Sequence, residues 1–149
     1  MTVTLQKVTM GNFRECIGLS VAESQKRFVA SNMYSLAEAQ ADGVSQPRAI
    51  HADERIVGFI MYDFEPKEDR GYISRLMVAE EYQGKGYGRA AMRQVIEEFK
   101  RNPACMEIQT AVVPENVAAD TLYRSLGFEP TGEMDEGEAI LRMTINRSL

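Results

Sequence analysis

The stretch Tyr82-Gln83-Gly84-Lys85-Gly86-Tyr87-Gly88-Arg89 constrains this chain more than any other. It joins a strand-like segment, Gly71 to Val78, to a helix-like one, Gly86 to Arg101. Three glycines and two cations therefore stand where a helix begins. The first turn of a helix carries unpaired N–H groups and a partial positive charge. Glycine lets backbone approach a ligand closely and adopt angles that other residues resist. The combination is an anion cradle suited to a pyrophosphate.

The rest of the chain says what surrounds that cradle. Its 149 residues predict a single domain over 1–149 with a real core. A net charge of −5 argues against nucleic acid as a partner, which would call for a basic face. It is compatible with a cationic substrate. The cysteines, Cys16 and Cys105, form neither a metal spacing nor a disulfide framework. Isolated thiols fit a reducing compartment, so a cytoplasmic location is expected. Met1 to Met10 alternates apolar and polar residues and does not read as a signal peptide. No apolar run approaches the ~20 residues of a membrane span.

Hydrophobic periodicity sets the order of elements. Val3 to Val8 reads as a strand. Asn12 to Leu19 and Val21 to Ala30 read as short helices, and Ser35-Leu36-Ala37-Glu38 has the form of a capping box opening another. Strands are expected at Arg48 to Ala52 and Arg55 to Phe64, around a turn at Asp53-Glu54, then a polar loop from Glu65 to Arg70. In the helix after the glycine turn, Met92, Val95, Ile96 and Phe99 make one apolar stripe. Arg93/Glu97 and Glu97/Arg101 are spaced as charge pairs on its outer face. Cys105 to Val112 alternates as a strand. Ala119, Leu122, Tyr123 and Leu126 form a second helical stripe, capped by Gly127. Two strands, Phe128 to Glu133 and Glu138 to Thr144, flank a hairpin loop at Gly132 to Gly137. Helices alternating with strands before a closing pair predict an α/β chain, a mixed sheet with helices on its faces.

Three phosphate-binding patterns compete for the glycine turn. A P-loop places its lysine after the last glycine, whereas Lys85 precedes Gly86. A dinucleotide fingerprint matches at Gly86, Gly88 and Ala91, but it should leave a strand directly and have an acidic residue about 20 positions on. Here seven residues separate Val78 from Gly86, and Ala111-Val112 holds the acidic position. The third pattern fits: Gln83-x-x-Gly86-x-Gly88 after Leu76-Met77-Val78, then Asn116-x-x-Ala119-x-x-Leu122-Tyr123-x-x-x-Gly127-Phe128. Together these resemble the acetyl-CoA-binding signatures of the GNAT superfamily of N-acetyltransferases. With Gly58-Phe59-Ile60-Met61-Tyr62, the chain looks most like the bacterial spermine/spermidine acetyltransferases.

The resemblance implies a GNAT fold, mostly antiparallel, of about six to seven strands and about four helices, with a V between the two central strands. It implies acetyl-CoA as cosubstrate, no metal, a small-molecule amine as partner and a homodimer. Pyrophosphate would rest on the backbone of Gln83, Gly84, Lys85, Gly86, Tyr87, Gly88 and Arg89. The pantetheine arm would pair with Leu76, Met77 and Val78, beside a bulge that opens the V. The Val78 amide would polarise the thioester carbonyl. Asn116, an N-cap by position, and Ala119 would contact the cofactor. Tyr123 reads as a core residue by periodicity; the resemblance makes it the general acid for the leaving thiolate. Segment Val21 to Tyr34 would wall the acceptor site, with Glu23, Gln25, Phe28 and Tyr34 as candidate lining.

The acceptor chemistry also needs a base. An alkylammonium with a pKa near ~10.4 requires roughly 4–5 kcal/mol to become a neutral amine at pH 7. Animal polyamine enzymes carry two acidic residues where this chain has Ser74 and Arg75, leaving Ser74 as a substrate-site candidate. Asp63, Glu65, Glu23 and the acidic hairpin Glu133-Met134-Asp135-Glu136 are substitute bases; His51, the lone histidine, reads as structural. Nothing pairs either cysteine with an activating base, so direct attack in a ternary complex is expected. The competing expectations are a protein, peptide or other small amine as acceptor, and a silent CoA-binding module.

Overall fold

The computed structural model describes residues 2–147; Met1, Ser148 and Leu149, at the ends of the expected 1–149 domain, lie outside the described residues. The strands are β1 (Val3–Lys7), β2 (Gln46–Ala52), β3 (Arg55–Glu65), β4 (Arg70–Val78), β5 (Glu107–Val112), β6 (Glu129–Asp135) and β7 (Glu138–Thr144). The α-helices are α1 (Phe13–Gly18), α2 (Asn32–Asp42), α3 (Tyr87–Lys100) and α4 (Val117–Ser125). One sheet runs β1-β2-β3-β4-β5-β7-β6, antiparallel except between β4 and β5. This is the mixed sheet flanked by helices that the alternation predicts.

Burial on both faces explains why β3 is so apolar. Ile60 and Tyr62 join the core under α3 and α4, with Met92, Val95, Phe99, Tyr123 and Phe128. Phe59 and Met61 point the other way, into a smaller cluster with Cys16, Ala39 and Met77 beneath α1 and α2. Side chains alternate across a strand, so a strand covered on both sides reads as a continuous hydrophobic run.

The V between β4 and β5 follows from one extra residue. Met61 pairs with Arg75 and Tyr62 with Ile73, which leaves Ser74 as a bulge in β4. Its hydroxyl donates to the Met61 carbonyl at 3.2 Å. Pairing between β4 and β5 covers only Arg70–Ile73 against Glu107–Thr110. Beyond that point the strands part, and the Thr110 hydroxyl donates to the Ile73 carbonyl at 2.9 Å where they do. A bulge bends its strand and raises the local twist. It lies at Ser74, two residues ahead of the Leu76-Met77-Val78 stretch beside which it was expected.

Four local expectations are corrected. Val21 to Ala30 holds only a 3₁₀ turn at Glu23–Gln25. Its backbone bonds are short-range ones such as Phe28 N–H to the Gln25 carbonyl, because the segment follows the sheet, with Val21 and Val29 packed on the smaller cluster. α2 begins a turn earlier than its supposed capping box: Ser31 accepts from the Tyr34 N–H, and Ser35 is buried inside the helix. On α3, Glu97 pairs with Lys100 at 3.9 Å rather than with Arg93 or Arg101. The final hairpin turns at Glu136-Gly137, both at positive φ, so β6 extends to Asp135.

Candidate active site

A cleft of about 1210 Å³ runs through the V. Leu76, Met77 and Val78 line one side, and Ala111, Val112 and Val113 the other. The glycine turn and the start of α4 close one end through Gln83, Gly84, Gly86, Tyr87, Gly88, Arg89, Asn116 and Ala119. Lys85 is exposed and does not line the cleft.

This end presents backbone. Gly86 caps α3 in the left-handed region at φ 86°, and Gly84 lies at φ 78°. These angles turn the chain so that, among the described residues, no carbonyl accepts from the N–H groups of residues 84–89. A row of free N–H groups at a helix N-terminus is an anion site by construction. A methyl group on Gly88 would meet Val78, Leu122 and Leu76 at 3.6–3.9 Å, so that position faces the strand and α4 across the cleft. Asn116 caps α4 by accepting from the Ala119 N–H at 3.3 Å, which leaves its amide nitrogen free of that bond.

Tyr123 stands where the V closes. It is 6% exposed, packs edge-on to Phe128 at 6.1 Å, and borders the cleft. Burial raises its phenol above the usual range, reinforced by Glu138 and opposed by the Thr110 hydroxyl. The proton therefore stays on the oxygen at neutral pH. The periodicity reading is met, since Tyr123 is buried in the core, and the same side chain also borders the cleft.

The opposite wall presents carboxylates. Glu38 and Asp42 come from α2, Asp63 from β3, and Asp135, Glu136 and Glu138 from the β6–β7 hairpin. Arg75 sits among them and pairs with Glu38 at 3.0 Å. Burial, then Glu65 and Asp42, pushes the Asp63 carboxyl up to about 6. Glu138 is also raised by burial, while Arg75 pulls it back down. Tyr72 is raised by burial and senses Glu138, Arg75, Asp63 and Glu65, so the acidic groups form one neighbourhood around it.

Of the acceptor candidates, Phe28 and Ser74 line the cleft, as does Gln25. Glu23 is 89% exposed in its side chain and pairs with Lys26 at 2.8 Å; Tyr34 is 59% exposed. Neither borders the cleft. Glu65 lies outside the lining, and Glu133 turns to Arg142 at 3.0 Å. His51 lies away on β2. Sequence reasoning missed Glu38, Asp42 and Glu138. Glu38 falls within the capping-box reading, yet from the middle of α2 it reaches Arg75, 37 residues on. Both cysteines are buried, and burial lifts the Cys16 thiol to about 11, which keeps it protonated. Among the described residues no group of His, Cys, Asp and Glu side chains could hold a metal ion, and no helix is long and apolar enough to cross a membrane.

Comparisons with known proteins agree with this geometry. Residues 12–128 match the acetyltransferase (GNAT) family. The spermine/spermidine N(1)-acetyltransferase of Bacillus subtilis (strain 168) is 28% identical over 148 residues, spanning 95% of this chain and 97% of the relative. The fold is shared with spermidine N-acetyltransferase from Vibrio cholerae in complex with CoA and spermine, at TM-score 0.74 and 19% identity over 96% of this chain and 94% of that one. It is shared equally with aminoglycoside acetyltransferase AAC(6')-Ib in complex with coenzyme A, at TM-score 0.79 and 19% identity over 96% and 95%. A strand bulged open at Ser74, a glycine turn with free amides and a match over most of the length lead to one assignment: this chain belongs to the GNAT family of acetyltransferases.

Proposed function

We propose that this protein transfers the acetyl group of acetyl-CoA to a primary amine of a small polycation, with spermine or spermidine as the acceptor. The observation that carries the reading is the division of charge within one cleft. Free N–H groups and Arg89 face one end, and Glu38, Asp42, Asp63, Asp135, Glu136 and Glu138 face the other. The first suits a pyrophosphate and the second a chain of ammonium groups. The homologue from Bacillus subtilis named for spermine and spermidine supports this choice of acceptor.

The chemistry follows from the residues around the apex of the V. Pantetheine amides pair with the backbone of Leu76 to Val78, and the Val78 N–H polarises the thioester carbonyl. Asp63 is the base, directly or through a water. Its side chain has no hydrogen-bond or ion-pair partner among the described residues, and its raised pKa suits proton transfer near neutrality. Arg75 opposes the same rise at Glu138 and occupies Glu38. The amine nitrogen bonds to the acetyl carbon and its proton passes to Asp63. The C–S bond breaks, and the thiolate takes the Tyr123 proton.

Release of CoA thiol across a panel of amines tests the reading. Turnover is expected with spermine and spermidine, falling by at least about tenfold with a monoamine of similar reach, which lacks the further ammonium groups. Equal rates for neutral amines, or turnover with peptides alone, would overturn the polyamine assignment. Tight acetyl-CoA binding without turnover of any amine would make the protein a binding module.

A further inference from the structure

One side chain ties the donor end of the cleft to the acceptor wall. The Gln83 side-chain amide donates to the Val78 carbonyl at 2.8 Å and to the Gln25 side-chain oxygen at 3.0 Å. Gln25 returns a longer bond to the Gln83 side-chain oxygen at 3.4 Å. The same Gln25 oxygen accepts from the Ala22 N–H at 3.1 Å, at the start of the 3₁₀ turn. A second tie lies alongside, from the Glu80 N–H to the Ser20 carbonyl at 3.0 Å. Gln25 and Gln83 are 58 residues apart, both half-buried and both on the cleft.

We infer that Gln25 is a positioning residue, which through Gln83 makes the wall from residue 22 to residue 30 respond to occupancy of the glycine turn. The inference rests on the donor-site reading above and adds the element through which donor and acceptor sites communicate. A short 3₁₀ turn has few backbone bonds of its own and gains little from propensity. Its path is therefore set by what holds it, and here that is a paired amide whose other end grips the turn and the end of β4. An anion that fixes residues 83–89 fixes Gln83, and through Gln25 it steadies Phe28 and Arg27, which line the cleft on the acceptor wall. Coupling of this kind is reciprocal: an acceptor held against the wall must also tighten the donor.

Amide hydrogen exchange of the full chain with and without saturating CoA reads this out. Expected is slower exchange at residues 84–89 and also at residues 22–30, by roughly fivefold or more at the wall. In Gln25→Ala, protection of 84–89 persists while that of 22–30 is lost. Gln25→Met, which keeps the length and apolar stem, should behave the same way and guards against a packing effect. CoA protection of 84–89 that leaves the wild-type wall unchanged would overturn the inference while the donor site stands. Wall protection retained in both variants would do the same. No protection at 84–89 would overturn both.

Discussion

The two ends of the cleft are built on opposite plans. The donor end is contiguous and uses backbone: Gln83 to Arg89 follow one another, and their free N–H groups arise from two left-handed glycines and a helix start. The acceptor end is dispersed and uses side chains, collected from α2, β3, β4 and the β6–β7 hairpin. Backbone recognition survives side-chain change, provided glycine is kept where Cβ would intrude. Side-chain recognition can be rewritten residue by residue. A site built this way can hold its donor while its acceptor wall changes.

Three substitutions press on this contrast. The largest effect is expected for Asp63→Asn, which removes the proposed base: kcat/KM should fall by roughly 10²–10³. The pH profile gives the sign. Asp63 must be ionised to take a proton, and its carboxyl sits at about 6, so wild-type kcat/KM should decline as pH drops through that value. In the variant this acid limb should vanish. An unchanged limb would assign the base to another group, such as Glu138, or to solvent.

Tyr123→Phe comes next. It keeps the ring that packs on Phe128 but removes the proposed acid, so kcat should fall about 10²-fold while the KM for acetyl-CoA stays within about twofold. A CoA thiolate leaves fairly readily, which holds this effect below that of the base. Unchanged turnover would make Tyr123 a core residue alone.

Gly88→Ala should have the smallest effect on rate and the cleanest one on binding. The added methyl fits the free protein at 3.6 Å or more and lies in α3, where alanine is the better helix former. Thermal stability should hold or rise slightly and, because Gly88 lines the cleft where the cofactor is proposed to lie, the Kd for acetyl-CoA should rise by about tenfold. Unchanged affinity in the folded variant would contradict a backbone-built donor site.

Legibility in the sequence followed the same division. The glycine turn, α3 with its Met92, Val95, Ile96 and Phe99 stripe, and the Asn116 cap were readable because each is set by neighbours within a turn or two. Segment Val21 to Ala30 was misread as helix because its conformation comes from Gln83 and the sheet rather than from its own periodicity. Glu38 was misread because a Ser-x-x-Glu spacing has the same appearance inside a helix as at its start, and only the partner, Arg75, tells them apart.

The sequence by itself determined most of the alternation of elements and the glycine turn at the start of α3, since these depend on hydrogen bonds and periodicities within about a dozen residues. It pointed to the donor only through the resemblance of that turn and the Asn116 to Phe128 signature to the GNAT family. Tertiary structure decided the rest. The Ser74 bulge exists only in register with Met61 and Tyr62 of β3. The rise of the Asp63 carboxyl needs burial together with Asp42 and Glu65, brought near from α2 and from the same strand. Desolvation and through-space charge act between residues that folding, not chain order, makes neighbours.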